Sequence, residues 1–559
     1  MSALRPIAAA AFLFLASTVL AAPPEPPRAN EKWVTLQVDE FRIVSSASPG
    51  ATLDIARDLL RMRSAIGQLT QLKVRSALPT RVFIFANERR FGPYRDALLQ
   101  RKTENITGVF AQGDNGNFIL LRSDSEDVDR VVYHELTHYF VRNTTSGLPL
   151  WFSEGLAEYY STFKTTRDAV QIGRAVPEHI HWLRREQLIP LRELFAIGVD
   201  SPAYNEGMRQ GVFYAESWAL VHYLMTDPER RPKLGEFLHL LGLGEDVETS
   251  FNTAFGMKFE ELEKQLRAYV RGFGFKYASY ATGQIAIAEP PAPVPMTHDA
   301  VLYETGHLLA NAGGPAAETA ERFLAAALEA NPKHASAHAA LGRLHILANR
   351  RAEADAALAK AVQFGGDDPE IYLIAGTSIL SRFAGQRSNE ISADDMKKAH
   401  DLLKRATELD PRSAVAWASL GATYIALPVD GAPGIAALEK SLALAPANDE
   451  AMYYLMQLYA RAERYDDARR TGYALLRRTT DARMKETLTE ALRDLENISA
   501  FNRVATAMNE AVTAANAGRF EDALSIVDAT IPTITDAATL ARAKEFRAQL
   551  AESAKKKKR

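Results

Sequence analysis

The sequence predicts an α+β domain followed by an all-α array of helical repeats. Three observations carry this. Strand-like apolar segments alternate with an amphipathic stretch from Trp33 to about residue 123. A helix bearing His134-Glu135-Leu136-Thr137-His138 then opens a mainly helical region that runs to about residue 277. Beyond a Pro-rich stretch around residue 290 the chain becomes Ala-rich, with Pro and Gly recurring at fixed offsets.

At the N-terminus, Arg5 precedes a run from Ile7 to Leu20 that is mostly Ala, Leu, Phe and Val, and Val19-Leu20-Ala21 offers a small-residue cleavage site. Residues 1–22 therefore read as a signal peptide, with an uncleaved anchor as the alternative. The run is short for a membrane span, which needs about 20 residues. The expected location is periplasmic or secreted, and membrane anchoring elsewhere is not expected. A flexible Pro-rich segment, 23–30, follows.

Residues 31–123 form the expected α/β part. Strands are predicted over 33–38, 41–44 and 81–85, the last apolar enough to be central, and a helix over 53–72. Residues 108–111 and 118–121 flank a polar, Gly-rich turn and read as a hairpin. Ser123 and Glu126 have capping-box spacing ahead of the next helix.

Composition narrows the chemistry. The 559 residues carry a formal net charge of -3, which gives no reason to expect a nucleic-acid partner. Cysteine is absent, so disulfides, thiolate ligands and a cysteine nucleophile are excluded. A catalytic metal must be held by His and carboxylate.

On a helix, His134 and His138 share one face and can aim at one point. A catalytic zinc needs three protein ligands and an open position. Glu154, in Trp151-Phe152-Ser153-Glu154-Gly155, is the third ligand if the Asn-, Ser-, Gly- and Pro-containing stretch from 142 to 149 reverses the chain. Glu135 projects beside the metal, placed to take a proton from water. Glu158, four residues after Glu154, is either a hydrogen-bond partner of a ligand histidine or a solvated carboxylate. His222 sits in an apolar helix and reads as a core histidine. His/His/Glu suits Zn2+ without excluding neighbouring metals.

HELTH followed by LPLWFSEGLAEYY resembles the gluzincin metallopeptidases of the bacterial peptidase MA-like superfamily. The resemblance implies a zincin-like fold for residues 31–277, with 124–277 as its helical, zinc-bearing part. It implies His134, His138 and Glu154 as ligands and Glu135 as catalytic base. It also implies an oxyanion-stabilising tyrosine at the start of a downstream helix, a place that Tyr214 matches, with Tyr204 as fallback. A strand before the metal helix pairs with extended substrate in such enzymes; the hairpin is the candidate, a plain edge strand the alternative. Aminopeptidase members carry an acidic GxMEN-type segment, whereas Gly116-Asn117-Phe118-Ile119-Leu120 has no acid, which points to an endopeptidase acting on peptide or protein substrates.

Residues 278–296, with Pro290, Pro291, Pro293 and Pro295, read as a semi-rigid linker. From 297 to 554, Gly342 follows Pro332 by the same interval as Gly421 follows Pro411, and Pro411 to Pro446 is close to a period of about 34 residues. Gly376 fits the same grid, and a last pair is expected near 505–529. This pattern resembles tetratricopeptide repeats, which implies a solenoid that binds a protein partner; a spacer is the alternative. Residues 555–559 form a basic tail. Two functions follow: an exported zinc metallopeptidase whose repeats bind substrate or partner, or a tetratricopeptide adaptor with a non-catalytic metallopeptidase-like domain.

Overall fold

The computed structural model describes residues 23–557 except 71, 73, 76–78, 101, 104–105, 114–115, 126–127, 145–147, 167, 199–200, 202–206, 243–244, 273, 282–288, 383–391, 428, 447, 480 and 535. The expected signal peptide, Glu126 of the capping box and the fallback Tyr204 lie outside the described residues. Among the described residues, no helix is long and apolar enough to cross a membrane. The chain divides into two compact units, Met1–Pro428 with Ala437–Asn448, and Val429–Ala436 with Asp449–Arg559.

The first unit is built on a mixed sheet. Its strands are β1 (Val34–Val38), β2 (Phe41–Ser45), β3 (Thr80–Phe85), β4 (Gly108–Gly113), β5 (Gly116–Arg122) and β9 (Val294–Pro295). Among the described residues their order is β4-β5-β3-β2-β1-β9, with β2–β3 and β3–β5 parallel and the other pairs antiparallel. Period-two alternation explains why the sheet needs cover on both sides. Ile43, Val82, Ile84, Ile119 and Leu121 face one apolar core, and Val44, Phe83, Phe85, Phe118 and Leu120 face another. β3 is buried along its whole length, as its apolar sequence predicts. The hairpin closes as expected, with Gly113 opposite Gly116.

The first core is closed by α1 (Pro49–Leu69), α3 (Val128–Thr144) and α4 (Leu150–Ser161). Helix α1 starts earlier than its apolar pattern suggests, because Ser48 accepts the Ala51 N–H and Pro49 is suited to the first turn. The second core is closed by α2 (Glu88–Leu99), α11 (His298–Ala312), α12 (Ala316–Ala330) and α13 (Ala335–Leu347). Between these, α5 (Pro177–Arg185), α6 (Leu191–Ala196), α7 (Gly207–Met225), α8 (Arg230–Gly242), α9 (Val247–Phe255) and α10 (Phe259–Arg271) follow α4, beside a small sheet of β6 (Lys164–Thr165), β7 (Ala169–Ile172) and β8 (Ala278–Ala281).

The stretch expected as a linker is not a spacer between separate cores. β8 pairs with β7, β9 pairs with β1, and the Met296 N–H donates to the Trp33 carbonyl. The reason is apolar area: α2 covers part of the face bearing Phe83, Phe85 and Phe118, and the first repeat helices, α11 to α13, cover the rest.

The helical pairs continue with α14 (Arg351–Phe364), α15 (Pro369–Arg382), α16 (Ala393–Leu409), α17 (Ala414–Ala426) and α18 (Ala432–Leu444). The predicted Pro/Gly grid has a packing cause. A Cβ on Gly342 would lie 2.7 Å from Leu358, and one on Gly376 would lie 2.6 Å from Leu403, so only glycine lets these paired helices approach. The second unit holds α19 (Asp449–Arg461), α20 (Tyr465–Arg478), α21 (Ala482–Asn516), α22 (Phe520–Thr530) and α23 (Ala537–Lys557). Here the pair expected near 505–529 is present, the chain reversing at Gly518, whose φ is 76°, and its first helix, α21, is extended to 35 residues. The C-terminal region is thus all-helical and built of tetratricopeptide-like hairpins, and the N-terminal region is α+β.

Candidate metal centre

Helix α3 presents Arg130, His134 and His138 at intervals of four, and α4 presents Glu154 and Glu158 at the same interval. The two ladders face each other. His134 Nε2 lies 3.1 Å from His138 Nε2 and 3.5 Å from Glu154 Oε2, and His138 Nε2 lies 3.4 Å from that oxygen. Donors about 2.0–2.1 Å from a shared ion at tetrahedral angles stand about 3.3 Å apart. The triangle therefore has the dimensions of one face of a zinc tetrahedron. Among the described residues this is the one group of three or more such donors compact enough to hold a metal.

The far nitrogens of both imidazoles are engaged. His134 Nδ1 is 3.3 Å from Glu158 Oε1, and His138 Nδ1 is 3.3 Å from Ser153 Oγ. This turns each Nε2 toward the centre. Glu158 is buried, so it is not the solvated carboxylate of one sequence reading. Burial penalises charge on His134, yet its hydrogen bonds to Glu154 and Glu158 hold its pKa well above the ordinary value. Burial likewise opposes ionisation of Glu154 and Glu158, but the two ligand histidines around Glu154, and His134 and His179 around Glu158, keep both far below the usual carboxylate range. Two imidazoles and one ionised carboxylate crowded this closely suit a divalent cation, which would take the place of the proton that His134 otherwise holds.

Two glycines permit close approach here, Gly155 between α4 and α7 and Gly108 between β4 and α3. A Cβ on Gly155, next to Glu154, would lie 2.3 Å from the Ser217 carbonyl oxygen of α7. One on Gly108, which opens β4, would lie 2.2 Å from Val131 and 3.4 Å from Glu135 Cγ. Glu135 is half-buried and lies between the metal helix and an edge strand of the sheet. Tyr214 lies about two turns inside α7 rather than at its start, because the helix begins at Gly207, and its ring centroid is 6.5 Å from that of His134. His222 is a core histidine: it is fully buried, its Nε2 is 2.8 Å from the Gly173 carbonyl and its Nδ1 2.6 Å from the Tyr269 hydroxyl. Burial lowers its pKa to about 4.

Sequence reasoning missed Arg130 and His179. Arg130 Nη2 donates to Glu158 Oε2 at 2.7 Å, and His179 Nε2 is 2.9 Å from the same oxygen. Arg130 had a legible signal, the same helical interval as the two histidines. His179 had none, because it arrives from α5, which is not adjacent to α4 in the chain.

Residues 130–241 match a family described as a protein of unknown function (DUF1570), a span that holds every residue of the centre. No curated protein matches the sequence. Solved structures similar to the chain include YrrB, titled a TPR protein with an unusual peptide-binding site, at 18% identity over 34% of this chain and 91% of that one, with a TM-score of 0.28. TTC0263 of Thermus thermophilus, a thermophilic TPR protein, is 21% identical over 35% of this chain and 98% of that one, at 0.29. Yeast Tom70 is 12% identical over 81% of this chain and 84% of that one, also at 0.29. The repeat architecture rests on the helix pairs themselves.

Proposed function

We propose that this chain is an exported zinc metallopeptidase of the gluzincin type, with a zincin-like N-terminal region and an endopeptidase mode of action. The observation that carries the reading is the near-equilateral triangle of His134, His138 and Glu154. His134, His138 and Glu154 would hold the zinc, which when bound would supply a Lewis acid and lower the pKa of water to about 7. Glu135 takes the proton of the water that attacks the peptide carbonyl. It returns that proton to the amine as the C–N bond breaks. The Tyr214 hydroxyl donates to the carbonyl oxygen as charge develops there. The edge of β4, beside Glu135, offers backbone groups to an extended peptide. The helical pairs hold substrate or a partner protein.

The test is zinc content and cleavage of a peptide library. Wild-type protein is expected to hold one zinc and cleave. Glu135→Gln is expected to keep the zinc and lose about 10²–10⁴-fold in rate. Cleavage unaffected by that change would remove the mechanism.

A second reading is an adaptor whose metal domain is non-catalytic. It is favoured by the second unit, where Phe501 and Ile498 on α21 are 63% and 44% exposed and take no part in the metal centre. Zinc bound without cleavage of any library peptide, together with partner capture by the repeats, is the outcome this reading expects.

A further inference from the structure

The two oxygens of Glu158 have divided duties. Oε1 faces His134 Nδ1 at 3.3 Å, while Oε2 takes both Arg130 Nη2 at 2.7 Å and His179 Nε2 at 2.9 Å. Each of these partners is itself held. Arg130 Nε donates to Ser161 Oγ at 3.4 Å, and that hydroxyl donates to the Glu158 carbonyl at 2.8 Å. The His179 ring lies 5.7 Å from the buried Trp218 ring. A carboxylate held by one donor can rotate about its last torsion. One held at a single oxygen by two donors from different helices presents its other oxygen in one direction only.

We propose that Arg130 and His179 are positioning residues, which fix Glu158 against His134 and so set how tightly the triad keeps its metal. This rests on the metal-centre reading above. Arg130 neutralises the buried carboxylate, so Glu158 accepts from the Nδ1–H of His134 without an uncompensated charge, and His134 keeps its Nε2 lone pair for the ion. Arg130 does this from outside the centre. Its side chain is 33% exposed, against 11% for Glu158, and it lines a cleft of about 970 Å³ together with Asp58, Asp129, Lys164 and Arg174. The metal's grip is therefore set from this cleft, outside the triad, and the partial exposure of Arg130 lets it be replaced without opening the core.

The experiment measures zinc affinity of the full chain by competition with a chelating dye, and the visible spectrum of the cobalt-loaded protein. Arg130→Gln and His179→Gln are each expected to weaken zinc about 10–100-fold and to shift the cobalt bands. Arg130→Lys, which keeps the charge, is expected to recover part of the affinity. Because the two residues lie on different helices, misfolding of one variant leaves the other as the test, with circular dichroism as the folding control. A folded double variant with wild-type zinc affinity and cobalt spectrum overturns the proposal while leaving the metal centre intact. So does a loss that tracks thermal stability alone and is not relieved by lysine. Wild-type protein that holds no zinc removes the metal-centre reading itself.

Discussion

Gly155 shows how one missing methyl places a metal ligand. Helix α4 lies so close to α7 that any side chain there meets the Ser217 carbonyl, a backbone atom that cannot step aside. Gly155→Ala is expected to cost about 1–3 kcal/mol and to move Glu154 away from the histidines. Denaturant unfolding reads the first effect and zinc titration the second. Glu216 offers a different test. It is buried on α7, its carboxylate accepts the Ile189 N–H at 2.6 Å, and burial pushes its pKa up to about 8. An unfolded glutamate titrates near 4.3. Between those values the folded chain keeps a proton that the unfolded chain has lost, so stability is full below about 4.3 and declines as pH rises through about 8. Glu216→Gln retains an acceptor without the charge. It is expected to flatten that decline and to gain roughly 2–4 kcal/mol at pH 9, read by unfolding curves across pH.

At the scale of elements, the sequence was informative where a pattern is local. The His134/His138 interval, the buried run of β3 and the Gly-rich hairpin all follow from neighbours in the chain, and each element lies where its pattern puts it. Helix α2 was not legible, because Pro93 inside it reads as a breaker; Asn87 caps it by accepting the Arg90 N–H, and the buried faces of Phe91 and Tyr94 keep it helical. His179 was not legible either, since its role depends on where α5 packs. The edge strand makes its own prediction. Gly108 lets β4 run close against α3, and a valine there would drive the strand off Val131 and Glu135. Gly108→Val is expected to raise KM and lower kcat for peptide cleavage while leaving zinc content unchanged. Loss of zinc instead would mean that β4 braces the metal helix rather than serving substrate.

At the scale of the first unit, the sheet and the opening repeats share one core, and the reason is visible in both apolar and charged residues. Phe83, Phe85, Phe118 and Leu120 have α11–α13 as their cover. Beneath that cover Arg81 of β3 reaches Glu304 of α11 at 3.2 Å and Glu370 of α15 at 2.6 Å, and Arg42 of β2 reaches Glu304 at 2.7 Å. Glu304 is fully buried, and the Arg81 side chain nearly so. Such a cluster gives little net stability when intact, but removing Arg81 takes the guanidinium from Glu370 and leaves the buried Glu304 with Arg42 alone. Arg81→Leu is therefore expected to cost about 3–5 kcal/mol, as large a loss as an inner core truncation. The apolar term predicts a second result. A Pro-rich segment followed by a change of composition looks like a place to cut, but a chain ending at residue 296 would leave the second face of the sheet with α2 alone as helical cover. It is expected to aggregate on expression, whereas a chain ending after Leu444 keeps that face covered and folds. Sedimentation and thermal melts of the two truncated chains check this. A soluble, cooperatively melting 23–296 fragment would show that the repeats are an appendage rather than half of the core.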